Sequence, residues 1–126
     1  MSLVPDDLRY TKEHEWLKPA GDGTALVGIT DYAQESLGDI VFVELCKVGA
    51  KFAAGGVFGV VESVKAASDL FMPAAAEVLE FNPLLETQPE LVNKDAYGAG
   101  WMLKVRLADP KAAAGLLDAA AYRKLV

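Results

Sequence analysis

Residues 9–16, RYTKEHEW, place Tyr10, Lys12, His14 and Trp16 on one side of an extended chain and Thr11, Glu13 and Glu15 on the other. That period-2 alternation predicts an edge strand. The turn-forming run Pro19-Ala-Gly-Asp-Gly23 separates it from an apolar strand at residues 25–29, so the two are expected to pair as an N-terminal hairpin. A short helix follows, with Thr30 or Asp31 as its cap, Tyr32, Ala33 and Leu37 as its apolar side, and Gly38 where a left-handed C-cap would stand. Beyond Gly38 the chain turns to short β runs separated by glycine, at residues 40–45, 48–49 and 57–61, and strand-like composition returns at 70–73 and 77–81. Residues 62–68, ESVKAAS, contain neither Gly nor Pro, and a hairpin centred near 64–66 would have apolar strands on both sides. Asn82-Pro83 and Gln88-Pro89 break the chain, residues 90–93 can hold a helical turn, and residues 101–107 alternate Lys104 and Arg106 with Leu103, Val105 and Leu107, as in a half-buried strand. From Lys111 onward an Ala-rich segment is expected to be helical, with Asp118 as an internal cap. The pattern is that of a mainly β chain, barrel or sandwich, with an N-terminal helix and C-terminal helices.

Composition narrows the function classes. A chain of 126 residues that is 24% charged and 52% hydrophobic fits one folded domain with a core of its own. Its 18 acids against 12 bases give a net charge of −6, and the basic residues do not cluster, which argues against a nucleic-acid partner. Apolar runs are interrupted well short of the ~20 residues that a membrane span needs, so a protein without membrane contact is expected. The start, MSLVPDD, has neither the basic-then-apolar order of a secretory signal nor the Arg-rich look of a transit peptide. A cytoplasmic protein is expected, or a mitochondrial-matrix one already trimmed.

Catalytic constellations are absent from the sequence. Phosphate-binding glycine loops, HExxH and GxSxG do not occur. One Cys and one His exclude zinc sites built from those residues alone. His14 reads as a surface or strand-packing residue, since its neighbours Glu13 and Glu15 would point to the opposite face. Cys46 reads as a small inert residue. The carboxylate pairs Asp6-Asp7, Glu13/Glu15 and Glu77/Glu80 read as solvated faces, and Trp16 and Trp101 as core or rim aromatics. No catalytic or metal-ligating residue is therefore expected.

Lys65 does not fit this pattern. It stands at the expected turn of a hairpin, among small and apolar residues rather than the usual Gly, Asn or Pro. A flexible lysine stem on a rigid hairpin is a suitable attachment point for a prosthetic group, because acylation removes the charge and leaves the rotatable bonds.

Glu62-Ser-Val-Lys65-Ala-Ala-Ser68 resembles the lipoyl-attachment motif of the glycine cleavage H-protein family. The resemblance extends to residues 10–16, YTKEHEW, to residues 27–45, VGITDYAQESLGDIVFVEL, and to PELVN at 89–93 with YGAGW at 97–101. It covers about residues 8–107 of a single domain at 1–126, with the C-terminal segment 110–126 a looser match. The resemblance implies a lipoyl-domain-like β barrel or sandwich, lipoate in amide linkage on Lys65, and Glu62 as a recognition residue for the lipoylating enzyme. It further implies a non-catalytic shuttle that carries the aminomethyl group of glycine, and a monomer is expected. Its partners would be a pyridoxal-phosphate glycine decarboxylase, a tetrahydrofolate-dependent aminomethyltransferase, a dihydrolipoyl dehydrogenase and the lipoylating enzyme. A cleft near the hairpin is expected to shelter the arm.

Two positions depart from the family's usual pattern: Cys46 where Pro is common, and Ala76 where Gly is common. If the turn at Ala76 required a positive φ, it would cost about 1 kcal/mol. Three other roles share the fold: a relay donating lipoate to other 2-oxoacid dehydrogenases, an unmodified interaction module, and a biotinyl carrier. The last prefers Met on both sides of its lysine, where Val64 and Ala66 stand here.

Overall fold

The computed structural model describes residues 3–126, so Met1 and Ser2, with which the N-terminal segment read above begins, lie outside the described residues. Two antiparallel sheets face each other. The larger is ordered β1-β2-β3-β9-β8-β5, from Arg9–Tyr10, Glu15–Pro19, Thr24–Ile29, Leu103–Leu107, Ala76–Phe81 and Lys51–Phe52. The smaller is β4-β6-β7, from Ile40–Leu45, Val57–Ser63 and Ala67–Phe71. No described strand joins the two sheets, so the structure is a sandwich, not a closed barrel. Alternate residues of both sheets, among them Val27, Val78 and Val105 from one and Val43, Val61 and Leu70 from the other, meet in one apolar core.

The helix α1, Asp31–Leu37, bridges the sheets and is capped by Thr30, whose hydroxyl accepts the Ala33 amide at 3.2 Å. The short helices α2, Leu84–Thr87, and α3, Leu91–Lys94, lie between β8 and β9. Of these, only the turn at α3 is foreshadowed by the sequence pattern; α2 is too short for a periodicity to show, and it forms because Leu85 reaches the core. The expected C-terminal helix is two shorter pieces, a 3-10 turn at Ala112–Gly115 and α4 at Ala119–Arg123, which starts where the Asp118 carboxylate accepts the Ala121 amide at 2.8 Å.

Residues 9–16 are not one strand. After Tyr10 the chain makes a tight turn and resumes as β2 at Glu15, because Thr11 supplies local partners that compete with extension. Its amide donates to the Glu15 carbonyl at 3.0 Å, its hydroxyl donates to Glu15 Oε1 at 2.7 Å, and His14 takes a positive φ of 69°. The turn rotates Glu15 inward, to 2% exposure, so the expectation of a solvated Glu13/Glu15 face fails for Glu15. Nor do residues 48–49 form a strand: Gly49 turns at φ 90°, and pairing resumes at Lys51.

A second apolar cluster closes the molecule beside the first. Tyr10 and Tyr122 stack with centroids 4.6 Å apart and planes 8° from parallel, and Trp16 lies beside them and donates its indole N–H to the Ala96 carbonyl at 3.0 Å. Gly28 stands opposite Trp16 in the ladder; a β-carbon there would sit 2.7 Å from the indole ring, so the absence of a side chain is what lets Trp16 fold across β3.

Candidate functional site

The β6–β7 hairpin carries Lys65, and Ser63 explains how its turn closes without Gly, Asn or Pro. The Ser63 amide donates to the Ala66 carbonyl at 2.8 Å, and its hydroxyl oxygen accepts the amides of Lys65 and Ala66, each at 3.2 Å. A side-chain hydroxyl thus satisfies turn amides that would otherwise be left to solvent. Val64, Lys65, Ala66 and Ala67 are all exposed.

The hairpin tip is not a free-standing projection. The Val64 amide donates to the Asp39 carbonyl at 3.2 Å, tying the tip to the loop between α1 and β4. That loop is held in turn by Asn93 of α3, whose Oδ1 accepts the Ile40 amide at 2.8 Å and whose Nδ2 donates to the Gly38 carbonyl at 2.9 Å and to Gln34 Oε1 at 2.8 Å. Gly38, at φ 82°, leaves its surface bare beneath the Lys65 stem; a β-carbon there would touch Lys65 Cε at 3.4 Å. Lys65 therefore rests over Gly38, with no ion pair among the described residues.

Glu62 is exposed on β6, paired across the sheet with Phe42 on one side and Ala67 on the other. It is three residues before Lys65 but on the outer face of the strand, not in the turn.

The remaining candidates take structural roles. His14 Nδ1 shares a 2.8 Å hydrogen bond with the Tyr122 hydroxyl, which shares another of 2.7 Å with Thr30 Oγ1, and burial lowers the His14 pKa. This chain of contacts ties α4 to the start of α1. Burial raises the pKa of the Cys46 thiol, which keeps it protonated and poorly nucleophilic. Ala76 is an ordinary strand residue, and His14 is the one non-glycine residue with positive φ among those described, so the strain considered for Ala76 does not arise. Among the described residues, no group of three or more His, Cys, Asp or Glu side chains could hold a metal ion, and no helix is long and apolar enough to cross a membrane.

Sequence reasoning did not find the buried carboxyl of Glu15. Desolvation raises its pKa to about 7, against opposing hydrogen bonds from Thr11 and from the Phe71 amide, 3.4 Å from Oε2. Glu15 borders a cleft of about 340 Å³ walled also by Thr11, Phe71, Met72 and Leu117. This cleft lies at the far end of β7 from the hairpin, and Lys65 is not among its walls. The spacing of Thr11 and Glu15 was the available signal, hidden because alternation placed both outward.

An open two-sheet sandwich that displays a lysine on a rigid hairpin is the architecture of a small carrier domain. The chain belongs to the glycine cleavage H-protein family, whose model matches residues 8–126 and so takes in the C-terminal segment as well as the β core. It is 60% identical over 126 residues to the glycine cleavage system H protein of Opitutus terrae, covering 100% of this chain and 99% of that one. The H protein of Chlorobium limicola is 59% identical over 124 residues, covering 98% and 97% of the two chains. A crystal structure of the H protein from Mycobacterium marinum superposes with a TM-score of 0.87 at 40% identity, over 96% of this chain and 97% of that one.

Proposed function

We propose that this chain is the lipoyl-bearing shuttle of a glycine cleavage system, with lipoate in amide linkage on Lys65. The observation that carries the reading is the exposed Lys65 on a turn closed by its own Ser63, in the sequence ESVKA. Such a lysine fits acylation. Its stem lies on a bare glycine, its amine is in no ion pair among the described residues, and losing the charge leaves no buried partner unsatisfied. In the attachment, deprotonated Nζ bonds to the carbon of an activated lipoyl acyl group, the bond to the activating group breaks, and the remaining surplus proton passes to a base, leaving a neutral amide.

When bound, lipoate supplies a disulfide that can be opened to carry a one-carbon amine and later reformed. The chain's own residues present and shelter it. The Ser63 turn and the Asn93-held loop fix the root of the arm, and an extended lipoyl-lysine reaches on the order of 14 Å from its α-carbon. The cleft at Phe71 and Met72 lies on the strand that leaves the hairpin, and its buried Glu15 offers an acidic group suited to an amine. Glu62, exposed beside the hairpin, is the recognition residue for the lipoylating enzyme. The partners that follow from this role are the glycine decarboxylase, the aminomethyltransferase, the dihydrolipoyl dehydrogenase and the lipoylating enzyme, with the chain itself a non-catalytic carrier.

The test is intact mass and peptide mapping after incubation with a lipoate ligase, ATP and lipoate. A single lipoyl addition at Lys65 supports the reading. Lys65→Ala should remove that addition and abolish glycine cleavage in a reconstituted system without changing the melting temperature, whereas retained cleavage would overturn the assignment of the arm.

A further inference from the structure

The outer face of the β4-β6-β7 sheet departs from strand alternation at one place. Ile40 pairs with Ser63 and Phe42 with Glu62, so β4 carries one extra residue, Val41, in a bulge. The bulge turns two successive large apolar side chains outward: Val41 is 54% and Phe42 46% exposed, while Ile40 and Val43 on either side are buried. Val64 at the hairpin tip is 69% exposed. An unbroken strand would have placed one of Val41 and Phe42 in the core, so their joint exposure is made by the backbone and is not a stray surface residue.

Charge on the same face has one sign. Two rows cross it, Phe42–Glu62–Ala67 and Glu44–Val60–Asp69, and Glu62, Glu44 and Asp69 are all exposed. The ion pairs among the described residues, Lys104–Glu80 and Arg123–Asp6, involve none of the three. Lys65 is the cation beside them, and acylation neutralises it.

We propose that this face is the docking surface for the enzyme that acylates Lys65. Val41, Phe42 and Val64 enter an apolar recess on that enzyme, and Glu44, Glu62 and Asp69 meet a rim of Lys and Arg side chains. The inference rests on the reading of Lys65 as the lipoylated residue. Nζ lies about 6 Å from its own α-carbon, so an active site that reaches it must also cover the residues around the turn. Val41, Phe42 and Val64 border that turn, so they lie in the area such an active site covers. Apolar contacts at the centre set dissociation, and the carboxylates steer the encounter.

The experiment measures steady-state lipoylation of the full-length chain by a purified lipoate ligase, with chain concentration and ionic strength varied. Phe42→Ser and the pair Val41→Ser/Phe42→Ser should raise KM for the chain about tenfold, corresponding to about 1.4 kcal/mol of binding, with kcat and melting temperature unchanged. For the parent chain, kcat/KM should fall as salt rises, and Glu44→Gln/Asp69→Asn should flatten that slope. An unaltered KM in the serine variants, or a salt slope that survives removal of the two carboxylates, would overturn the surface assignment. So would a dimer in sedimentation that the serine variants dissolve, since the occupant would then be a second copy. If the parent chain gains no lipoyl mass, the reading of Lys65 itself fails, an outcome distinct from a modified parent with indifferent variants.

Discussion

Ser63 and Glu15 show how single residues set the local chemistry. Ser63 takes the place of the glycine or asparagine that turn chemistry favours, so the turn holds its shape while every residue from Val64 to Ala67 remains exposed. Glu15 has the opposite character, a carboxyl at 2% exposure whose pKa burial raises to about 7. Its folded pKa lies above the unfolded value of about 4.5, so the native state binds the extra proton between those limits. Stability is therefore greatest at the acid side of this window and falls as pH rises from about 4.5 to 7. Glu15→Gln keeps the partners but cannot ionise. We expect it to be more stable than the parent at pH 8, by on the order of 3 kcal/mol at most, and to lose the difference near pH 4.5. Calorimetric melting of both proteins across that range checks this, and a parent that gains stability as pH rises through the window would contradict the buried-carboxyl account.

Between elements, Asn93 does most to position the hairpin. One side chain on the four-residue helix α3 bonds to α1 through Gln34, to the α1–β4 loop through Gly38, and to the start of β4 through Ile40. The loop so held accepts the Val64 amide, so the tip that bears Lys65 is braced by a residue 28 positions later in the chain. Asn93→Ala would leave the Ile40 amide and the Gln34 amide oxygen without these partners, costing about 2–4 kcal/mol. Urea denaturation should register that loss, and the Val64 amide should exchange with solvent faster in the variant. Unchanged exchange would mean that the brace does not reach the tip.

For the whole molecule, the two ends of the chain meet beside the sandwich. Tyr122, fully buried, stacks on Tyr10 and shares hydrogen bonds with His14 and Thr30, so the short α4 holds together the N-terminal hairpin and the cap of α1. Tyr122→Phe retains the stack but leaves the Thr30 hydroxyl and His14 Nδ1 short of a partner. A loss of about 1–3 kcal/mol is expected, read as a lower melting temperature. No loss would reassign the tyrosine to packing alone. The acidic surface belongs to this scale as well: in the proposed shuttle role, a net charge of −6 favours charge steering and weak docking to successive enzymes.

Alternation and turn residues in the sequence were enough to specify the strands at 57–61 and 77–81, the last strand, expected at 101–107 and found at Leu103–Leu107, the helix after Thr30, the cap at Asp118 and the hairpin at Lys65, because those signals are local. The displayed lysine was legible for the same reason: a turn without turn residues stands out in one dimension. Long-range packing decided the rest. Glu15 reads as half of a solvated pair until Thr11 folds the chain back and buries it. Val41 and Phe42 read as successive residues of one short β run until a bulge turns both outward, and Asn93 reads as the end of a helical turn until Gly38 and Ile40 arrive beside it. A hydrogen bond between residues more than 50 positions apart leaves no period in the sequence, so the brace beneath the lysine and the face around it existed only once the sheets had met.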